Sequence, residues 1–254
     1  MTAARLNYEL TGDAGAPPLL LVGSLGTTMR MWDPQMPAAR QHFRVLRAEP
    51  RGHGGSEVRR GPYTIDELSH DVLALLDLLR IDRISYCGLS LGGMIGMWVA
   101  ASAPDRIDRL ALCCTSAWLP PAQAWTSRAA QVRAHGTASI SEQVVGRWFT
   151  TAFRESDPAT ARWAADMLST APAEGYAGCC EAIAAMDLRA ALSSITAATL
   201  VIAGSADPAT PPAHGKTIAA SVPGAELHLV QAAHLANIEA APAVTALLMR
   251  HLTG

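Results

Sequence analysis

Short unbroken apolar runs recur along the chain, and the stretches between them place their apolar residues at helical spacing. Leu19-Leu20-Leu21-Val22, Arg83-Ile84-Ser85-Tyr86-Cys87, Ile107 to Cys114 and Thr199-Leu200-Val201-Ile202-Ala203-Gly204 read as strands buried on both faces of a sheet. Leu6-Asn7-Tyr8-Glu9-Leu10 alternates instead, as an edge strand does, with Thr11-Gly12-Asp13 as its turn. His42 to Ala48 and Glu226 to Val230 complete the strands. Thr64 followed by Glu67 matches a capping box, and Leu68, Val72, Leu75, Leu76 and Leu79 recur with the helical period behind it. Helices are also expected from Met94 to Ala101, from Pro211 to Ala220, and at the end of the chain through Val244, Leu247 and Leu248. Strands and helices in alternation imply an α/β fold: a mostly parallel central sheet with helices on both faces and right-handed crossovers.

The alternation stops at Trp118. From there to about Leu192 only helical patterns occur, over Trp125 to Ala134, Ser141 to Phe149, Pro158 to Leu168 and Tyr176 to Met186. Residues 1–117 and 193–254 are therefore expected to form one core domain, with 118–192 inserted as a helical cap. Trp118, Trp125, Trp148 and Trp163 fall in the insertion. Their expected work is packing, but a cap over the carboxyl ends of the strands would also roof a pocket.

Composition narrows the partners. With 254 residues, 50% of them hydrophobic, the chain can bury a large core. Lys+Arg at 20 against Asp+Glu at 22 leave −2 and no run of either sign, which argues against nucleic acid and anionic membrane surfaces. Cys87, Cys113, Cys114, Cys179 and Cys180 form an odd set with vicinal pairs. Buried free thiols in a reducing compartment suit them better than a disulfide framework or a zinc site. Met1 to Glu9 lacks the apolar core of a signal peptide, and the glycines within Ile84 to Pro104 favour strand, turn and helix over a membrane span. A cytoplasmic monomer or small homo-oligomer is expected, acting on a small molecule.

The chemistry centres on Gly88-Leu89-Ser90-Leu91-Gly92, a G-x-S-x-G pattern between an apolar strand and an apolar helix. Such a turn pushes Ser90 into the open as a nucleophile, with Gly88 and Gly92 allowing close approach of the flanking elements. The plainer reading is a glycine-rich turn in which Ser90 only caps the helix. Asp207 follows the Thr199–Gly204 strand and His234 follows the Glu226–Val230 strand, in the chain order nucleophile, acid, histidine. His234 would act as general base and Asp207 would fix its tautomer, while the N–H groups of Leu25 and Leu91 would hold an oxyanion. For Leu25 an ordinary loop is the competing reading. His228 sits within a strand, His214 in a helix, and His53 in a glycine-rich turn where a structural role is expected. No metal motif, phosphate loop or dinucleotide fingerprint occurs, so no cofactor is expected.

These motifs resemble the α/β-hydrolases and, within them, the 3-oxoadipate enol-lactonases of bacterial aromatic catabolism. The resemblance spans nearly the whole chain. It is carried by Ser24-Leu25-Gly26-Thr27 with Met31-Trp32, Arg51-Gly52-His53-Gly54, Cys87-Gly88-Leu89-Ser90, Arg147-Trp148-Phe149-Thr150, Gly175 to Cys180, Asp207 to Pro212, and Ala233 to Glu239. It implies opening of a small anionic enol-lactone to a 3-oxo diacid. Departures from the family pattern at Glu49-Pro50, Met97, Cys114, Trp118 and Ala236 are expected to make the pocket mouth more apolar. A substrate carboxylate needs a cationic partner, for which Arg128, Arg133 and Arg147 are candidates; Trp118, Trp125 and Trp148 are expected to contribute walls. A second reading is an esterase or lactonase for a more apolar substrate, favoured by Trp118 and Met97. A third is a catalytically silent protein that binds a small ligand on this fold.

Overall fold

The structure is a computed structural model and describes residues 3–254. Among these residues one sheet holds β1 (Tyr8–Thr11), β2 (Pro18–Val22), β3 (Arg44–Ala48), β4 (Ile84–Leu89), β5 (Ile107–Cys113), β6 (Ala198–Gly204) and β7 (Glu226–Val230), in the order β1-β3-β2-β4-β5-β6-β7. β1 pairs antiparallel with β3; every other pairing is parallel. Burial follows the hydropathy pattern: all of β4 is buried, whereas the alternating β1 lies exposed or half-buried at the edge.

The strand order reverses between β2 and β4, and in an open parallel sheet the crevice outside the carboxyl ends at such a point is where ligands bind. The loops after those two strands meet there, the Gly92 N–H donating to the Gly23 carbonyl at 3.0 Å. A 3-10 segment and the short α1 (Met36–Ala39) precede β3, and α2 (Ile65–Leu78) and α3 (Leu91–Ser102) flank β4. The capping box forms: Thr64 Oγ1 accepts the Glu67 N–H at 3.1 Å and the Glu67 carboxylate accepts the Thr64 N–H at 3.0 Å.

Between β5 and β6 the chain leaves the sheet for α4 (Ala122–His135), α5 (Ser141–Trp148), α6 (Thr151–Ser156), α7 (Pro158–Ser169) and α8 (Ala173–Ala185). Its two feet touch where Trp118 bridges Asp187 and the Leu188 N–H donates to Ala117 O at 2.8 Å. Buried cap residues such as Val132, Ile140, Phe149, Leu168 and Tyr176 continue the apolar core of the sheet instead of forming a second one. Cap and sheet domain approach closely at Gly52 and Gly175, where a Cβ on Gly175 would lie 2.2 Å from the Gly52 oxygen. The chain then closes with α9 (Pro212–Ser221), α10 (Ala236–Glu239) and α11 (Ala241–Thr253). All five cysteines are buried and free. No helix of the described residues is long and apolar enough to cross a membrane.

Candidate active site

Ser90 joins β4 to α3 with φ 54° and ψ −112°, a conformation that costs a residue with a Cβ about 1–3 kcal/mol and must be held by its surroundings. The hold is visible on both sides of the residue. The Ser90 N–H donates to Cys113 O at 2.9 Å, and its carbonyl accepts from Thr115 Oγ1 at 2.7 Å and from the Met94 N–H at 3.0 Å. Strand and helix cross so tightly that a Cβ on Gly88 would lie 2.2 Å from Gly92 O, and one on Gly92 would lie 2.2 Å from Val22 O. Ser90 makes no side-chain capping bond, so the reading of this serine as a mere helix cap does not stand. Its side chain opens instead on a cavity of about 250 Å³ beneath the cap.

His234 lines the same cavity from the loop after β7. Its Nδ1 lies 2.8 Å from Asp207 Oδ2, and since the carboxylate can only accept, Nδ1 carries the proton and Nε2 is left as the basic nitrogen. Asp207 is held in turn by the Ala209 N–H at 2.7 Å, the Thr210 N–H at 3.0 Å and Thr210 Oγ1 at 2.7 Å. Burial alone would raise the Asp207 pKa, but the His234 charge and these hydrogen bonds outweigh it and hold the carboxyl below its ordinary value. Both neighbours of His234 are fastened to other elements. The Ala233 N–H donates to Glu239 Oε2 at 2.9 Å and the Leu235 N–H to Trp148 O at 2.9 Å, while Glu239 also accepts from the Thr150 hydroxyl and the Thr150 N–H in the cap.

Ser24, Leu25, Trp125, Arg128, Arg147 and Trp148 also line this cavity. The Leu91 N–H, at the first position of α3, has no acceptor within its own helix. Arg128 stacks on Trp125 at 4.7 Å, and neither Arg128 nor Arg147 has a carboxylate partner among the described residues. No Asp or Glu lines the cavity. Arg133, by contrast, does not reach the cavity: it is spent on Glu174 and Glu181, at 2.9 and 2.5 Å.

The expectation for Trp118 needs correcting. It lies outside this cavity, 42% exposed, with the Arg189 guanidinium 4.1 Å above its ring, because the bridge to Asp187 turns it outward at the foot of the cap. None of the other departures described lines the cavity either. Glu49, Met97, Cys114 and Ala236 are buried and contribute nothing to the cavity lining, so they do not make its mouth more apolar. Sequence reasoning gave no role to Thr210, which braces Asp207 and lines the cavity, nor to Glu239. An acid followed three residues later by threonine is the signal that marks Thr210.

The sheet order, the strained serine after β4 and an acid–histidine pair drawn from the loops after β6 and β7 repeat, element for element, the plan of the α/β-hydrolases. A family model described as "alpha/beta hydrolase fold" matches residues 17–241, and the chain belongs to that family. Within it, the chain is 40% identical over 234 residues to 3-oxoadipate enol-lactonase 2 of Acinetobacter baylyi, covering 92% of this chain and 88% of that one. It is 35% identical to 3-oxoadipate enol-lactonase 1 of the same organism, with the same coverage. The crystal structure of the enol-lactonase from Burkholderia xenovorans superposes with a TM-score of 0.97 at 42% identity, covering 99% of this chain and 97% of that one. The protein is a hydrolase that acts on ester bonds.

Proposed function

We propose that this hydrolase opens a small lactone bearing a carboxylate, of the 3-oxoadipate enol-lactone type, by a Ser90–His234–Asp207 mechanism. The observation that carries the reading is the charge of the cavity: Arg128 and Arg147 face it without acid partners, and no carboxylate lines it. A neutral substrate would leave both guanidinium groups without a counter-charge, whereas a carboxylate pairs with their N–H groups directly. The volume of about 250 Å³ lies below the range of about 300–1,000 Å³ usual for drug-sized ligands, which suits one small ring. Trp118 and Met97, the residues that favoured a more apolar substrate, lie outside the cavity, so that reading loses its support. The names borne by the relatives point the same way.

In this mechanism Ser90 Oγ attacks the lactone carbonyl carbon as His234 Nε2 takes its proton. The oxyanion accepts from the Leu25 and Leu91 N–H groups. The ring C–O bond then breaks, and the leaving enolate, at oxygen or carbon, takes the proton that His234 Nε2 holds as the chain opens toward the ketone, which leaves His234 neutral again. Water, deprotonated by His234, attacks the acyl carbon and releases Ser90 and the 3-oxo diacid. A serine-directed phosphonate should label Ser90, and Ser90→Ala should lower kcat by at least about 10⁴-fold. Arg128→Met and Arg147→Met should raise KM for the anionic lactone about tenfold and spare a neutral aryl ester; equal effects on both substrates would contradict the anchoring role.

A further inference from the structure

The loop from Ser24 to Thr28 can be accounted for one amide at a time. The Ser24 N–H reaches Met31 Sδ at 3.3 Å, the Gly26 N–H reaches His53 Nε2 at 2.8 Å, the Thr27 N–H reaches Ser24 O at 3.2 Å, and the Thr28 N–H reaches Met167 Sδ at 3.3 Å. The Leu25 N–H alone has no acceptor among the described residues. It lies in the first of two consecutive peptide planes, and the second fixes the Leu25 backbone behind it. In the first, the Ser24 carbonyl is drawn toward Thr27 by the N–H at 3.2 Å and by Oγ1 at 2.8 Å. A trans peptide then aims the Leu25 N–H away from Thr27, and Ser24 and Leu25 are themselves lining residues of the cavity. The second plane, between Leu25 and Gly26, has one anchor, the imidazole of His53. Gly26 has φ +82°, so nothing in its own backbone preferences resists a flip of that plane.

His53 suits the task chemically. An amide N–H can only donate, so Nε2 must accept and Nδ1 carries the proton, which it directs at Arg51 O 3.2 Å away. Complete burial lowers the pKa of this ring, against weaker opposing effects of the Arg51 carbonyl and Glu49, so the neutral form with a free Nε2 lone pair is the stable one. His53 does not line the cavity, and its ring touches neither Ser90 nor the His234–Asp207 pair through any hydrogen bond among the described residues. Its influence on chemistry passes through the Gly26 amide.

We infer that His53 is a positioning residue that orients the oxyanion donor: its Nε2 pins the Leu25–Gly26 peptide so that the Leu25 N–H stays aimed at the developing oxyanion. The inference rests on Ser90 being the nucleophile. His53→Leu removes the acceptor, His53→Gln keeps an oxygen within reach of the Gly26 N–H, and His53→Asn is polar but too short. The readouts are kcat and KM on a neutral aryl ester, the rate of Ser90 phosphonylation, and the inhibition constant of a boronic acid, whose tetrahedral adduct fills the oxyanion site.

Loss of one oxyanion donor costs about 10²–10³ in kcat. A misaimed donor in His53→Leu should therefore lower kcat about 10–100-fold with KM within about twofold, slow phosphonylation and weaken the boronate in proportion. His53→Gln should recover most of all three and His53→Asn should not. Should His53→Leu fail to fold, the Gln and Asn variants decide the matter between them. Equal boronate affinity in parent, Gln and Asn variants overturns the inference, as does a kcat loss in His53→Leu with boronate binding unchanged. Failure of the phosphonate to label the parent protein would instead overturn the assignment of Ser90 itself.

Discussion

Asp207 spends both oxygens on four donors from three residues, the Ala209 and Thr210 N–H groups on Oδ1 and Thr210 Oγ1 and His234 Nδ1 on Oδ2. A carboxylate so held is fixed in charge and in rotamer, which is what a histidine base requires of its neighbour. Asparagine there can present its N–H₂ to His234 Nδ1 and reverse the tautomer; Asp207→Asn should lower kcat about 10⁴-fold with the fold retained. Stability carries a second signature of the same residue. The folded pKa is depressed, so the stabilisation is present above the unfolded value of about 3.9 and is lost as pH falls through the folded one. Thermal melts between pH 7 and pH 3 should show the parent losing more Tm below pH 4 than Asp207→Asn does; parallel curves would contradict this account. At this scale the strand ends that carry Ser90, Asp207 and His234 were legible in the sequence, since composition announces each of those strands. The arginines were less legible. The partners that neutralise Arg133 lie 41 and 48 residues further along the chain, and no local pattern reports such a contact.

Elements bring these residues together through a few bonds between neighbours. Glu239, in α10, accepts from Ala233 beside His234 and from Thr150 at the start of α6. One side chain thus joins the His234 loop to the part of the cap that carries Arg147 and Trp148. Removing it strands the Ala233 and Thr150 donors, at a cost of about 1–3 kcal/mol. Glu239→Ala should lower the denaturation midpoint accordingly and reduce kcat/KM on the anionic substrate, with Glu239→Gln losing less. Unchanged midpoint and kinetics in Glu239→Ala would show that the two segments hold their places without it. The longer elements were legible because their periodicity or capping chemistry spans enough residues, as in α2 with its Thr64–Glu67 box. Short ones were not: α6 and the 3-10 segment over Met29–Gln35 complete too few turns for a period to register. The length of α3 was also underestimated, because Leu91-Gly92-Gly93 resembles a turn until the close crossing of β4 gives its glycines a purpose.

For the whole molecule, fold class follows from the alternation of apolar runs and helical patterns, and the cap from its interruption. The continuity of the cap with the core does not follow, since two inserted helices read alike whether they bury their faces in each other or in the sheet. The net charge of −2 also says nothing of a local excess of two guanidinium groups lining the cavity of Ser90, on which the proposed recognition of an anion rests. The most direct measurement compares kcat/KM for opening of 3-oxoadipate enol-lactone with that for the same lactone whose side-chain carboxylate is a methyl ester. Reactivity of the ring is then nearly constant and only the charge changes. The carboxylate form should be opened about 10–100-fold more efficiently, the value of one or two charge-assisted hydrogen bonds. Equal efficiency on the two, or preference for the methyl ester, would contradict recognition of an anion by this cavity.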